Sequence, residues 1–432
     1  MSRSIKFVQE RSMHSLKPKL FGVLKNYTRK QFTKDVIAGI IVAIIALPLS
    51  IALAIASGVR PEQGLYTAIF AGFFISLLGG SRVQIGGPTA AFVVIIYGIV
   101  SDYGTQGLIV ATILAGIIMI ILGLCHFGSL IKFVPYTITV GFTFGIAIGI
   151  FVGQLKDFLG LDMGAVPSDF VDKIIAYSKN ITSTHLPTLL VGAISLAILI
   201  LWPKVTDRIP GSLIAIIIPT LIVYFGKLDV ATIGTLRGGA VNYVINSSFP
   251  SFTLPSVSFG MIRKLLSPAF TIAILASIES LLSCVVSDGM IGSKHKSNAE
   301  LVGQGVGNIF SGLFGGIPAT GAIARTAANV KNGGRTPIAG MVHSIMLLLV
   351  LLFLMPLASL IPMTSLAAIL IMVAYNMSGW RDFARLVKRA PKSDIVVLVV
   401  TFLLTIFFDL VVAIEVGIAI AVLLFMKRMA DV

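Results

Sequence analysis

Gly79-Gly80-Ser81-Arg82-Val83-Gln84-Ile85-Gly86-Gly87-Pro88-Thr89 and Gly315-Gly316-Ile317-Pro318-Ala319-Thr320-Gly321 are two glycine-rich breaks in a chain that is otherwise apolar along most of its length. A glycine inside a helix costs about 1 kcal/mol relative to alanine, so runs this dense read as extended backbone. Each break leads into a short apolar segment, 86–100 and 320–331. Neither is long enough to cross a hydrocarbon layer of about 30 Å as a full helix. Short, Gly/Pro-interrupted segments at matching places in two halves of a membrane protein point to a transporter binding site. The spacing supports such a repeat. Thr89 lies 41 residues after Pro48, Thr320 lies 41 residues after Glu279, and Pro48 and Glu279 both stand mid-span.

The rest of the chain fits that reading. Of 432 residues, 56% are hydrophobic and only 12% charged, whereas a soluble domain carries about 25% charged residues. Apolar runs fall at 35–58, 64–80, 86–100, 107–126, 133–155, 185–202, 211–226, 265–290, 298–315, 320–331, 336–355, 357–377, 394–408 and 410–426. The expected fold class is therefore an all-α integral membrane protein of about 14 transmembrane segments. Seven per half make the repeat inverted, with two half-helices each preceded by a short strand. Two polar connections, 156–184 and 227–264, separate groups of spans, and the second is expected to form short extended segments.

The formal charge of +15 does not indicate nucleic acid. Nine Lys or Arg precede Asp35 against one acid, Glu10, so the first 34 residues hold +8 of it. By the positive-inside rule, 1–34 reads as a basic cytoplasmic segment that orients the chain, with attraction for anionic lipid headgroups as a secondary role. It has no apolar core or cleavage site of a signal peptide. With an even number of spans both termini are cytoplasmic, and the localisation is the cell membrane. Cys125 and Cys284 sit in apolar stretches, and the five histidines show no metal or haem spacing, so no cofactor is expected. No nucleophile–base pair, phosphate loop or metal set marks an enzyme, and no catalytic residue is assigned.

Two half-helices that begin at mid-membrane suit an anion. Their first N–H groups have no helical partner and carry the positive end of the helix dipole. The residues at both starts are small (Gly86, Gly87, Thr89, Ala90, Ala91; Ala319, Thr320, Gly321, Ala322, Ala324), which lets a compact ligand approach the backbone. The same residues also serve tight helix packing. Glu279 is the only ionisable side chain within 265–287. A carboxylate there is discharged by a proton or a cation, as coupling to H⁺ or Na⁺ requires. Ser283, one helical turn later, shares its side and suits a cation ligand or a hydrogen bond to the acid. Arg325, inside the second half-helix, can neutralise an anion or pair with Glu279. The candidate substrate-binding set is Gly87, Thr89, Ala90, Thr320, Gly321, Ala322 and Arg325. Glu279 and Ser283 are the cation-coupling pair, with any Na⁺ near Glu279, Ser283 and Thr89 and no other metal. Asp288, Lys294, His295 and Lys296 read as interfacial loop, and Asp409 and Glu415 as lining a cytoplasmic opening. His343 reads as a satisfied core histidine or a proton relay, and Arg335 as a helix-end anchor.

Several stretches resemble the SulP family of anion permeases. They are Ala46-Leu47-Pro48-Leu49-Ser50-Ile51-Ala52-Leu53-Ala54 with Gly64-Leu65-Tyr66; Gln84-Ile85-Gly86-Gly87-Pro88-Thr89; Asn298 to Asn308; and Gly315 to Thr326 with Gly333-Gly334-Arg335-Thr336. The resemblance runs from about residue 35 onward and is most specific in the last stretch. It implies a seven-plus-seven inverted repeat shared with uracil permeases, over a transporter domain at 35–432. It also implies a core domain (about 35–130 and 265–355) that carries substrate past a gate domain (about 131–226 and 357–427). Substrate then sits between the third and tenth helix starts; in several bacterial members an acid at the position of Glu279 takes part in cation coupling, and members resembling the cyanobacterial bicarbonate transporters place a hydroxyl at that of Ser283. The family's eukaryotic members carry a basic residue where Arg325 stands. A homodimer is implied by resemblance only. Most members carry a STAS domain after the last span, and this chain ends at Val432 without one. Leu49 and Leu53 replace the polar and aromatic residues of sulfate-type members, leaving sulfate, bicarbonate and dicarboxylate open.

The reading is thus a secondary active transporter of a small inorganic anion or carboxylate, coupled to H⁺ or Na⁺ and working by elevator-type alternating access in the lipid bilayer. A nucleobase permease on the same fold and an uncoupled anion channel or exchanger are the alternatives.

Overall fold

A computed structural model describes residues 16–129, 136–164, 166–167, 169–206, 209–244, 247–255, 258–408, 416–417 and 419–420. The span expected at 410–426 lies outside the described residues except for 416–417 and 419–420, and Asp409 and Glu415 lie outside them entirely. The main helices are α1 Arg29–Ala56, α2 Pro61–Leu78, α3 Val93–Leu124, α4 Tyr136–Gly153, α5 Leu186–Val205, α6 Gly211–Gly226 and α7 Phe259–Ile291. They continue with α8 Ser297–Leu313, α9 Ile323–Lys331, α10 Ile338–Phe353, α11 Met363–Ser378, α12 Trp380–Arg389 and α13 Lys392–Phe407. Two strands of two residues each, β1 Gly86–Gly87 and β2 Thr320–Gly321, pair antiparallel with Gly86 opposite Gly321 and Gly87 opposite Thr320.

Among the described residues, six helices are long and apolar enough to cross a membrane: Arg29–Ala56, Ala90–Leu124, Tyr136–Leu159, Leu186–Val205, Phe259–Ile291 and Met363–Arg389. Side chains such as Phe225, Phe353 and Leu254 are almost fully exposed. Large apolar groups in that number are stable at a surface only against lipid or another apolar partner.

Helix ends follow local chemistry. The Thr28 hydroxyl accepts from Gln31 N at 3.2 Å to start α1, and Ser258 does the same for α7 through Met261 N at 3.2 Å. The Ser258 cap corrects one boundary, because α7 begins six residues before the expected 265 and takes Arg263 and Lys264 into its first turns. Such long basic side chains can reach the interface from a helix end. A second correction concerns 86–100 and 107–126. The helical part of the first begins only at Ala90, because Gly86–Gly87 is β1, and within Val93–Leu124 the two runs meet at a non-helical kink at Gly104 (φ 67°), so the expected break between them narrows to that kink. The connection 156–184 carries helices Leu155–Leu159 and Phe170–Asn180, whereas the described residues of 227–258 hold one 3₁₀ turn, Arg237–Gly239, and single bridges Thr232–Pro362 and Thr235–Val241.

Helix α8 fixes both breaks. Near its start, the buried Glu300 carboxylate accepts from Gly80 N at 2.8 Å, Ser81 N at 3.0 Å and Gln304 Nε2 at 2.9 Å. Further along, the Asn308 side chain accepts from Ala319 N at 2.8 Å and donates to Ala319 O at 2.9 Å, while Ser311 Oγ donates to Ile317 O at 2.7 Å. Backbone that has left the helix inside an apolar bundle must be satisfied by protein, and α8 does so on both sides. The close packing that brings α8 into reach depends on small residues. A Cβ on Gly116 or on Gly305 would stand 2.5 Å from the other's carbonyl oxygen.

The basic leader docks on the same end. Lys19 N donates to Gly79 O at 3.0 Å, and buried Asp35 accepts from Tyr27 Oη (2.9 Å), Arg335 N (2.8 Å) and Thr336 Oγ1 (2.6 Å). Burial and the Asp35 carboxylate push the Tyr27 hydroxyl to about 12, which keeps it a donor at neutral pH. Arg335 Nη1 meets the carbonyls of Val330 and Gly334, both at 2.7 Å, so its guanidinium caps the C-terminal turn of α9.

Candidate functional site

The paired strands bring the two breaks face to face, and a polar knot beneath them sets their separation. Gln84 is its centre. Its Oε1 accepts from Ser283 Oγ at 2.9 Å, and its Nε2 donates to Ser280 O at 3.2 Å. Thr326 Oγ1 accepts from Ile85 N at 3.0 Å, and Ala322 N donates to Ile85 O at 2.9 Å. Ser280 Oγ lies 2.7 Å from Thr320 Oγ1 and accepts from Gly321 N at 3.0 Å, while Thr320 Oγ1 also donates to Ala276 O at 3.0 Å.

Beyond the strands, the chain turns from each break into a helix start beside one cavity of about 550 Å³. Its lining includes Thr89, Ala90 and Ala91 from the first start, Ala322, Ile323, Ala324 and Arg325 from the second, and Glu279 from α7. Leu49 and Leu53 of α1, Phe142 and Thr139 of α4, and Asn376 of α11 close its sides. Thr89 Oγ1 donates to Glu279 Oε2 at 3.1 Å. Arg325 is 2% exposed, and its Nη2 donates to the Pro88 carbonyl. Its Nε and Nη1 have no acceptor among the described residues. No ion pair within 4.0 Å joins Glu279 to Arg325 among the described residues. The pairing of Arg325 with Glu279, one of the two roles expected of it, is therefore not formed in this structure.

The predicted site residues divide into two groups. Thr89, Ala90, Ala322, Arg325 and Glu279 come together at the cavity. Gly87, Thr320, Gly321 and Ser283 do not line it; they form the strand pair and the knot. The expectation that N–H groups from Thr320 to Ala322 face an anion is corrected accordingly. Those of Gly321 and Ala322 already have acceptors, and among the described residues the groups without one begin at Ile323 and Ala324, as at Ala90 and Ala91. Ser283 shares a helix side with Glu279, yet its hydroxyl is bound to Gln84 and so is turned away from a joint cation site. Gly87 acts indirectly, because a Cβ there would collide with the Arg325 guanidinium. His343 is buried with both ring nitrogens unpartnered among the described residues, contrary to the satisfied core histidine expected. Asp288 lies in the last turn of α7 and not in the expected loop; it accepts from His295 N and Nδ1, both at 2.7 Å, and Lys294 O accepts from Lys19 Nζ at 2.7 Å, so the loop after α7 is part of the leader's docking site.

Two features of the site escaped the sequence reading. Gln84 was read as part of a break and not as its organiser. Asn376 was passed over because it carries no charge, although a lone amide in the apolar run 357–377 is a visible signal.

Comparisons with known proteins agree on one family. The family model described as the Sulfate permease family matches residues 32–401. YvdB of Bacillus subtilis (strain 168), provisionally named a sulfate transporter, is 44% identical over 411 residues, covering 95% of this chain and 76% of that protein. The bicarbonate transporter BicA of Picosynechococcus sp. is 34% identical over 420 residues, 92% of this chain and 70% of that one. The solved transmembrane domain of a cyanobacterial BicA superposes with a TM-score of 0.79 at 30% identity, covering 90% of this chain and 98% of that one. The murine Solute Carrier 26 member A9 anion transporter, solved in its inward-facing state, shares the fold with a TM-score of 0.86 at 21% identity, over 96% of this chain and 72% of that one. The fold is thus an all-helical membrane transporter fold, and the matching family is one of membrane permeases and not of enzymes. With 370 consecutive residues under one family model and a relative at 44% identity, this chain belongs to the sulfate permease family.

Proposed function

We propose that the chain is a secondary active transporter of a small oxyanion across the cell membrane, binding it between the two helix starts. One observation carries this reading. A buried guanidinium, with Nε and Nη1 lacking acceptors among the described residues, stands at a cavity lined also by Ala90, Ala91, Ile323 and Ala324, the first residues of the two helix starts. Buried donors left unsatisfied cost about 1–3 kcal/mol each, more when charged, and an oxyanion supplies the missing acceptors. The substrate class is that named for the relatives, sulfate or bicarbonate, with dicarboxylate a further competitor to be tested.

Glu279 is the coupling residue in this reading. A carboxylate at an anion site opposes the substrate's charge until it is discharged, so loading of the anion and of the coupling ion favour each other. Thr89 is the only hydroxyl bonded to it among the described residues, and Ser283 is engaged elsewhere. One hydroxyl beside one carboxylate suits a proton better than a Na⁺, which needs several converging oxygens. Fourteen spans in a seven-plus-seven inverted repeat, with both termini cytoplasmic, complete the proposal. Transport moves a core (about 35–130 and 265–355) as an elevator against a gate (about 131–226 and 357–427), in a homodimer.

The test is uptake of labelled sulfate, bicarbonate and fumarate into proteoliposomes under an inward H⁺ or Na⁺ gradient, for wild type and Glu279→Gln. Accumulation of one anion under a pH gradient, lost in the variant, is the expected result. Accumulation driven by Na⁺ alone overturns the proton assignment. Competition by uracil, or flux that never exceeds equilibrium, replaces the reading with a nucleobase permease or a channel.

A further inference from the structure

The segment between α11 and α13 was read only as a gap between spans, yet it folds into α12, a helix with two unlike faces. Arg381, Arg385, Lys388 and Arg389 are spaced i, i+4, i+7 and i+8, which places them on one side, and all four are exposed. With Trp380 and Ala384 they line an open surface depression, and no carboxylate takes part in that lining among the described residues. Asp382, the helix's one acid, is absent from the lining and pairs with Arg385 at 3.1 Å. On the other side, Phe383 packs on Phe144 of α4 (ring centroids 4.4 Å apart) and Phe402 of α13 (5.2 Å). The helix is therefore anchored to two apolar elements with its basic side outward. Gly379 (φ 54°) turns the chain before it and Pro391 precedes α13, so α12 is separated from both neighbours by a change of direction. Trp380 is 46% exposed, with the Arg381 guanidinium 5.3 Å from its ring.

We propose that this basic face of α12 is a binding site for the phosphate headgroups of anionic lipids in the surrounding bilayer. A basic stripe, a tryptophan at the helix start and an apolar underside are the three properties of a helix lying at the membrane–water boundary. Clustered Lys and Arg at that depth attract anionic headgroups, and arginine forks hold phosphate oxygens two at a time. A soluble anion is the weaker occupant, because exposed Trp380 and Val387 flank the stripe and would face water unless lipid covers them.

The site is tested apart from transport, on the purified full chain carrying Trp202→Phe so that Trp380 is the sole tryptophan. Quenching by brominated phosphatidylglycerol is compared with quenching by brominated phosphatidylcholine in mixed micelles. Half-quenching is expected at a mole fraction at least about fivefold lower for phosphatidylglycerol, with the gap narrowing as salt rises. The quadruple variant Arg381→Gln/Arg385→Gln/Lys388→Gln/Arg389→Gln should abolish the preference, and the milder Arg381→Gln/Arg389→Gln should reduce it if the quadruple change prevents folding. Equal quenching by both lipids, or an unchanged preference in the milder variant, overturns the proposal. So does displacement of the anionic lipid by millimolar glycerol phosphate, which would make the site one for soluble anions.

Discussion

The two breaks share a scaffold but not a chemistry. Each contributes a two-residue strand, each is held by α8, and each ends at a helix start on the same cavity. The first start is neutral: Pro88 offers a carbonyl, Thr89 a hydroxyl, and the helix runs on to Gly104. The second carries Arg325 in a helix of only nine residues. Their partners differ in the same sense. Thr89 donates to Glu279 Oε2, whereas Arg325 among the described residues reaches only the Pro88 carbonyl. In the proposed reading the first start holds, through Thr89, the α7 carboxylate whose charge changes, and the second carries the constant charge. A symmetric pair of dipole ends would bind an anion without any means of coupling it.

Removing the constant charge should have the largest effect. Arg325→Gln takes away a charged donor from the anion, so substrate affinity should fall by about 1.5–3 kcal/mol, or roughly 10- to 100-fold. Arg325→Lys restores charge without the planar fork and should recover only part of it. Calorimetric or spectroscopic titration of the purified protein reads this directly. An unchanged affinity in Arg325→Gln would break the assignment of charge to the second start.

The variable side comes next. With one proton carried per anion, a pH gradient of one unit supports about tenfold accumulation. Glu279→Gln should bring that ratio to one while leaving anion exchange within a fewfold of wild type, because Thr89 can still hydrogen-bond an amide. If exchange collapses together with accumulation, Glu279 is part of the anion site and the division between the two starts fails.

The strand glycines sharpen the same contrast. A Cβ on Gly87 would meet the Arg325 guanidinium, and one on Gly321 would meet the Gln84 amide. Adding a methyl to a packed interior costs about 1–3 kcal/mol. Gly87→Ala should therefore act mainly on substrate affinity, and Gly321→Ala mainly on thermal stability, since Gln84 holds the knot beneath the strands. Gln84→Ala combined with Gly321→Ala should recover part of the lost melting temperature. Equal effects of the two glycine variants on binding would erase the distinction between the strands.

How far the sequence could reveal this depends on which physical signal was used. Glycine density located both breaks, because non-helical backbone in a membrane is costly and needs special residues. Burial cost singled out Glu279 and Arg325, the ionisable groups inside apolar runs that the structure brings to the cavity. What stayed hidden is which way a side chain faces. In soluble helices polar periodicity gives the answer, but in α1, α2 and α7 the apolar residues are not gathered on one face, so periodicity does not separate the cavity side of Glu279 from the knot side of Ser283 one turn later. The α7 start at Phe259 was hidden for a related reason, since Arg263 and Lys264 resemble a loop until Ser258 is seen to cap the helix.

Ser283→Ala should have the smallest effect, and it tests that hidden facing. The hydroxyl donates to Gln84 Oε1 at 2.9 Å and lies 3.4 Å from Thr326 Oγ1, both of them buried neutral contacts. Losing one such bond costs about 1 kcal/mol, with some of that recovered as the alanine methyl fills the space. Stability should drop by that amount, while the coupling ion and the anion affinity stay as in wild type. A change in ion dependence would mean that Ser283 leaves Gln84 during the cycle and turns toward Glu279. The knot would then be a moving part of the coupling site, and Na⁺ would regain the second oxygen that this arrangement denies it.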